Sequence, residues 1–257
     1  MQVVAVLLSF LLGLIWGSFL NVVALRTLSG ESIFYPSSHC PNCGHRLRWY
    51  ENIPLLSWVV QRGRCTVCGK RISWLYPFGE LTTALLFAWA AYAAWDEPAA
   101  IGRFIFYVVL ISLFMTVTVS DLQSMRIPNR ILLFFTPLIV ALKLYLDGLQ
   151  VLFPILLGII VYGGLFFLIY WLSRGGMGMG DVKYAALLGV VLPVQHILLF
   201  ILLASLYGLL VAIVLMLVRG WGRKDALPFG PFMSLSAWLV VLYGETMMNV
   251  YLSFWKI

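Results

Sequence analysis

From Tyr184 to Val218 the chain carries no Asp, Glu, Lys or Arg, and neither does the stretch from Met1 to Leu25. Apolar runs this long exceed what the core of a soluble 257-residue domain can take in. In lipid every backbone N–H and C=O must be satisfied within the protein, so such runs must be helices. The whole sequence follows suit, with 62% hydrophobic and 11% charged residues and a mean hydropathy of +0.98. These properties predict an all-α polytopic membrane protein.

Eight transmembrane helices are predicted. The first five cover residues 3–25, 77–95, 104–120, 131–146 and 151–173. Pro193 interrupts the long charge-free run, with Gln195-His196 as a polar turn, so that run holds parts of two helices. A sixth span beginning only at Tyr184 would be too short to cross. Starting it near Met177 gives about 25 Å of helix and draws Asp181 into its first turns. The seventh follows the turn to Val218, and the eighth covers residues 229–255. Residues 1–25 read as a retained first helix, because the first base, Arg26, follows the apolar core instead of preceding it. The expected organisation is a helix over 1–25, a polar cytoplasmic segment over 26–76, and a seven-helix membrane domain over 77–257.

The net charge of +7 does not point to nucleic acid. With the N terminus outside, fourteen of the seventeen bases fall in inner segments, from Arg26 through Arg71, at Arg126 and Arg130, at Arg174 and Lys183, and from Arg219 to Lys224. Only Arg103, Lys143 and Lys256 fall on the other side. The excess of inner bases sets this orientation and makes the lipid bilayer the expected surroundings.

Against that background two acids stand out. Asp121 lies in Ser120-Asp121-Leu122-Gln123-Ser124-Met125-Arg126-Ile127-Pro128-Asn129, and Asp181 in Gly178-Met179-Gly180-Asp181-Val182-Lys183. Each sits where an apolar segment meets a short basic loop on the cytoplasmic side. A carboxylate at such a depth is costly and reads as functional. Two brought together by helix packing can share a proton and activate water, as in an aspartic protease.

All four cysteines lie in the segment 26–76, as Cys40-Pro41-Asn42-Cys43-Gly44 and Cys65-Thr66-Val67-Cys68-Gly69. Two such pairs, each followed by Gly, have the spacing of zinc knuckles. In a reducing cytoplasm four thiolates around a structural zinc are favoured over disulfides or a redox dithiol. A closed zinc site folds a segment with too little core to fold alone. His39 and His45 are not needed as ligands.

Other features have plainer readings. The run Gly175-Gly176-Met177-Gly178-Met179-Gly180 is not a dinucleotide fingerprint, because no strand precedes it. It allows either close helix packing or approach of a substrate backbone to Asp181. Phe229-Gly230-Pro231-Phe232 is explained by the first turn of a helix. Asn21 is expected to hydrogen-bond between helices, Glu80 to pack against polar groups of the bundle, and Glu245 to reach the outer interface.

Taken together, these motifs resemble the type IV prepilin peptidases, the bacterial leader peptidase/N-methyltransferase family. The resemblance runs through Gly17-Ser18-Phe19-Leu20-Asn21, Cys40-Pro41-Asn42-Cys43-Gly44, Trp49-Tyr50-Glu51-Asn52-Ile53-Pro54-Leu55, and Arg62-Gly63-Arg64-Cys65. It continues through the Asp121 segment, the Gly-x-Gly-Asp motif ending at Asp181, and Phe229-Gly230-Pro231-Phe232. It departs at Leu75, where the family often has Arg, and at Gly79, where a larger apolar residue is usual. The resemblance implies a bacterial inner-membrane aspartic endopeptidase with Asp121 and Asp181 as its catalytic pair and Cys40, Cys43, Cys65 and Cys68 as its cysteine tetrad. It implies a prepilin or a type II secretion pseudopilin as substrate. It also implies methylation of the new N terminus with S-adenosylmethionine. Two readings from other classes compete with this one. A proton-coupled transporter also uses paired membrane carboxylates, but no internal repeat is evident. A non-catalytic pilus-assembly scaffold would not need both aspartates.

Overall fold

The computed structural model describes residues 1–97, 99–174, 176–220, 222 and 225–253. Gly175 of the glycine run, the loop bases Arg223 and Lys224, the side chain of Arg219, and residues 254–257 with Lys256 lie outside the described residues. Among the described residues the chain is helical and has no strand. Its helices are α1 (Gln2–Ser29), α2 (Leu56–Val60), α3 (Leu75–Ala94), α4 (Ala100–Ser124), α5 (Asn129–Asp147), α6 (Leu152–Leu172), α7 (Met179–Val191), α8 (Ile197–Arg219) and α9 (Gly230–Ser253). Each predicted span overlaps a helix among the described residues, and the last, 229–255, runs past them. Five helical stretches are long and apolar enough to cross a membrane: Gln2–Ser29, Ala100–Ser124, Asn129–Asp147, Leu149–Leu172 and Val194–Val218. Helices α3, α7 and α9 are not among them.

The chain forms two compact units, Met1–Val119 and Ser120–Ile257. In the first, α1 packs along α3. Their contact is made by a ridge of small and polar residues, with Ser9, Gly13, Gly17 and Asn21 one turn apart and all buried. A Cβ on Gly13 would lie 2.6 Å from the Ala84 backbone, and one on Gly17 would lie 2.9 Å from that of Glu80. Lipid offers no hydrophobic drive between helices, so close backbone approach and dispersion hold such a pair. The opposite face of α1, with Val3, Leu7, Leu11 and Ile15, is exposed. Asn21 donates to the carbonyl of Tyr76 on α3 at 3.2 Å, as expected for an interhelical amide. Helix α1 ends at Gly30, whose left-handed backbone (φ 76) caps it by donating to the Arg26 carbonyl.

In the second unit the central element is α7, which packs on α5, α6 and α9. It is buried nearly all round, from Val182 and Tyr184 to Val191. Gly158 of α6 and Gly189 of α7 meet backbone to backbone, since a Cβ on Gly158 would lie 2.0 Å from the Gly189 carbonyl oxygen. With 13 residues, α7 is shorter than expected. It measures about 20 Å instead of 25 Å. It begins at Met179 because Gly178 is extended (φ -79, ψ 144), and it ends where Leu192 is extended ahead of Pro193.

Candidate active site and metal centre

Asp121 and Asp181 both belong to the second unit. Asp121 lies in the last turn of α4 and is 4% exposed. The chain then turns through Met125, whose left-handed backbone (φ 52) ends the helix while its N–H donates to the Asp121 carbonyl at 2.8 Å. The segment after this turn lies against the start of α7. A Cβ on Gly180 would lie 3.3 Å from the Ile127 side chain, and Lys183 donates to Asn129 Oδ1 at 3.0 Å. Gly180 thus serves close packing of the Met125–Asn129 turn on α7. Asp181 occupies the first turn of α7, where its Oδ2 accepts the Gly178 N–H at 3.2 Å. Free N–H groups at a helix start favour a carboxylate there. The turn that follows Asp121 thus packs on the turn of α7 that carries Asp181. Two neighbouring carboxylates at helix ends, one fully buried, can together activate water and protonate a leaving group.

The Phe229-Gly230-Pro231 motif does more than begin a helix. The Gly230 N–H donates to Asp121 Oδ2 at 2.7 Å. A Cβ at position 230 would lie 2.8 Å from that oxygen and 3.2 Å from Cβ and Cγ of Asp121, so only glycine fits. The first N–H groups of a helix have no partner within it, and here one is spent on a buried carboxylate. The Gly230 carbonyl in turn accepts from Ser234 Oγ at 2.9 Å, and Ser234 meets the buried Tyr184 hydroxyl at 2.8 Å. The sequence signal was a Gly directly before a first-turn Pro, which capping alone does not require.

The four cysteines also come together. Their Sγ atoms all lie within 4.8 Å of one another, with Cys40 to Cys68 at 3.8 Å and Cys43 to Cys65 at 4.0 Å. A tetrahedron of thiolates with Zn–S bonds of about 2.3 Å has edges of about 3.8 Å. The two pairs are built alike. Cys40 N–H bonds the His45 carbonyl and Cys65 N–H the Lys70 carbonyl, each at 2.9 Å, and Gly44 (φ 71) and Gly69 (φ 69) make the turns. The backbone N–H of Lys70, followed by the Asn42 side chain, draws the Cys68 thiol down to about 6. Cys43, although exposed and facing the His45 N–H, is pushed up to about 11 by partial desolvation and its sulfur neighbours. Four thiolates this close repel one another without a cation among them, so the donor set fits a metal ion.

Glu51, which sequence reading passed over, fastens the two knuckles to each other. Its carboxylate accepts from the Thr66 hydroxyl, from Arg48 N–H at 2.8 Å, and pairs with His45 Nε2 at 3.0 Å. The Thr66 hydroxyl first, then the Arg48 N–H and His45, hold its carboxyl down at about 2. His45 is thus a partner of Glu51. Glu80 is buried and accepts the N–H of Leu55 at 2.8 Å. Leu55 sits at φ 60, a conformation that costs about 1–3 kcal/mol for such a residue. Glu245 is exposed and accepts from Gln195 at 3.2 Å.

Residues 11–94 match the Bacterial Peptidase A24 N-terminal domain, and residues 108–213 match the Type IV leader peptidase family. The chain is 38% identical to a prepilin leader peptidase/N-methyltransferase of Bacillus subtilis (strain 168), over 95% of this chain and 96% of that one. Proteins of the same description from Pseudomonas putida (34% identical, 93% of this chain, 90% of that one) and Aeromonas hydrophila (33%, 96% and 93%) are similar over comparable spans. No solved structure matches the chain. With both of its halves matched and relatives similar from end to end, the chain belongs to the type IV leader peptidase family.

Proposed function

We propose that this protein is a membrane aspartic endopeptidase that removes the leader of type IV prepilins or type II secretion pseudopilins and methylates the N terminus it exposes. The observation that supports the peptidase reading is the placement of Asp121 and Asp181 at two helix ends of one compact unit, where the turn after Asp121 packs on the start of α7. The family membership supports both activities and does not support the transporter reading. The setting is a bacterial inner membrane crossed eight times, with α3, α7 and α9 completing the five long apolar helices. The N terminus lies outside, and the aspartates and the segment 26–76 lie on the cytoplasmic side, where the loop bases favour them.

The substrate's apolar helix lies in the bilayer and its basic leader stays in the cytoplasm. One aspartate, ionised, takes a proton from water as that water attacks the scissile carbonyl. The other, protonated, polarises the carbonyl and then donates to the leaving amine. The pair titrates as a unit, and the two roles exchange as the proton moves between them. The Gly230 N–H keeps the Asp121 carboxylate in one orientation throughout, so no reorientation adds to the barrier.

Cys40, Cys43, Cys65 and Cys68 would hold a structural zinc that fixes the fold of residues 26–76. S-adenosylmethionine, when bound, offers an electrophilic methyl group.

The test is Asp121→Asn and Asp181→Asn, each purified in detergent and incubated with a prepilin whose mass is followed. Asn keeps the volume but cannot exchange a proton. Both variants should be inserted, folded and inactive in cleavage, and near-normal processing by either one removes it from the catalytic pair.

A further inference from the structure

One face of α1 carries an unbroken apolar stripe. Val3, Leu7, Leu11, Ile15 and Phe19 are exposed on it, and Val22 continues it at helical spacing. One turn beyond Val22 the same face ends in Arg26, which is only 8% exposed. Helix α1 is long and apolar enough to cross a membrane, so a face turned toward lipid leads to a buried cation.

The last stretch of the stripe lies in a groove of about 560 Å³. Ile15, Phe19, Val22 and Arg26 form its α1 wall, and the segments 33–38 and 52–54 form the others. Tethers fix these walls. Arg26 Nη1 donates to the carbonyls of Ser32 at 3.0 Å and Ile33 at 3.1 Å, holding the first loop against α1. Leu47 N–H donates to the Ser38 carbonyl at 2.9 Å, tying the same loop to the first cysteine knuckle. Leu55 N–H donates to buried Glu80 at 2.8 Å, fixing the 52–54 wall to α3.

Arg26 needs an anion that the chain does not supply. Among the described residues it pairs with no carboxylate, and no acid lines the groove. Both of its carbonyl bonds use Nη1, so Nε and Nη2 make no hydrogen bond there. An unpaired charge withdrawn from water at the membrane edge is costly, and that cost is present whether or not a substrate is bound. The neutralising anion must therefore be one always present at that depth. From Ile15 to Arg26 the helix rises about 16 Å, close to half of a hydrocarbon core of about 30 Å. A phospholipid chain has that reach and ends in a phosphodiester at the level of the guanidinium. Guanidinium and phosphate pair through two parallel hydrogen bonds, which the free Nε and Nη2 edge is shaped to give.

We infer that this groove holds one phospholipid, with its phosphate on Arg26 and an acyl chain along Val22, Phe19 and Ile15. Ser37, Ser38 and Asn52 line the same groove and offer hydroxyl and amide groups to the ester and glycerol oxygens. Neither cleavage nor methylation enters the assignment, which needs only that α1 crosses the bilayer. The lipid joins α1, the first loop and the Asn52-Ile53-Pro54 segment across a space that no side chain fills, so it helps to seat the cysteine segment on the membrane.

The experiment uses the full-length, metal-loaded protein in a maltoside detergent, which carries no phosphate. Bound lipid is read by native mass spectrometry for the wild type, Arg26→Gln, Val22→Trp and Leu7→Trp. Val22 lines the groove and takes part in none of the tethers, so a Trp there fills the space without loosening its walls. Leu7 lies on the same stripe outside the groove and serves as the control. Each protein is stripped of lipid and titrated with palmitoyl-oleoyl phosphatidylglycerol, with the diacylglycerol of the same chains, and with inorganic phosphate. The expected result is one phosphatidylglycerol per chain in the wild type and Leu7→Trp, bound at least about tenfold more weakly by Arg26→Gln and Val22→Trp. The diacylglycerol, which lacks the phosphate, should bind the wild type at least about tenfold more weakly, and inorganic phosphate should not displace the lipid. Metal content is measured alongside, and if Arg26→Gln loses metal, Val22→Trp decides. Lipid binding by Val22→Trp within about threefold of wild type overturns the inference. So does diacylglycerol binding as tight as that of phosphatidylglycerol, which leaves Arg26 without a part. Displacement of the lipid by inorganic phosphate makes the groove a site for a free anion, displacement by prepilin makes it a substrate site, and either result overturns the inference as well.

Discussion

Gly230→Ala is the sharpest probe of the aspartate site. The new methyl would lie 2.8 Å from Asp121 Oδ2 and 3.2 Å from its Cβ and Cγ. The near contact is with a buried carboxylate on another helix, so the two groups must part. When they do, the 2.7 Å hydrogen bond from the Gly230 N–H is lost. A hydrogen bond to a charged group contributes about 1.5–3 kcal/mol. If the bond acts mainly in the transition state, that range corresponds to about a 10- to 150-fold fall in kcat/KM. The assay is prepilin cleavage by the detergent-purified enzyme, followed by mass spectrometry, with thermal unfolding measured in parallel. Gly208→Ala is the control, since its Cβ would meet the ring of Phe232 at an ordinary 3.5 Å. Cleavage by Gly230→Ala within about threefold of wild type would refute the claim that this N–H orients Asp121.

Replacing Cys40 and Cys43 by Ser should release one metal ion per chain, read by elemental analysis, and open residues 26–76 to protease. Methylation should fall further than cleavage, because the cysteines and the aspartates belong to different compact units. Glu51→Gln should destabilise the cysteine segment in a pH-dependent way. The wild-type carboxyl is held at about 2 against an ordinary 4.5, so its contribution is full above about 4.5 and is lost as the pH falls toward 2. The difference in proteolytic stability between wild type and variant should therefore shrink over that window, and a constant difference contradicts the assignment. On the substrate side, a small residue before the cut, best Gly, should be required for a dyad confined between helices. Prepilins with Gly, Ala, Val or Leu at that position, co-expressed and compared by size shift, should be processed in falling order.

Much of this protein is legible in its sequence because lipid leaves few choices. A charge-free run such as Met1–Leu25 must be helical, and Pro193 must break the run that contains it, since no other structure satisfies the backbone in a bilayer. The cysteine pairs were readable for a similar reason. A knuckle is a local turn, fixed by Cys, Gly and spacing, and each pair carries its own geometry wherever the rest of the chain goes. Asp121 and Asp181 announced themselves by cost, as carboxylates at the ends of apolar helices.

What the sequence could not state is which backbone groups attend these residues. Gly230 is 109 positions from Asp121, and its N–H was free for use only because a helix start leaves it without a partner. The same holds for Glu80, which reaches Leu55 across 25 positions, and for Glu51, which joins two knuckles that each look complete alone. Periodicity and local spacing report what a residue needs from its immediate neighbours, whether lipid, a turn or a helical ladder. A hydrogen bond between distant segments leaves no such pattern, because its geometry is set by how helices pack, and that packing is decided by the whole chain at once.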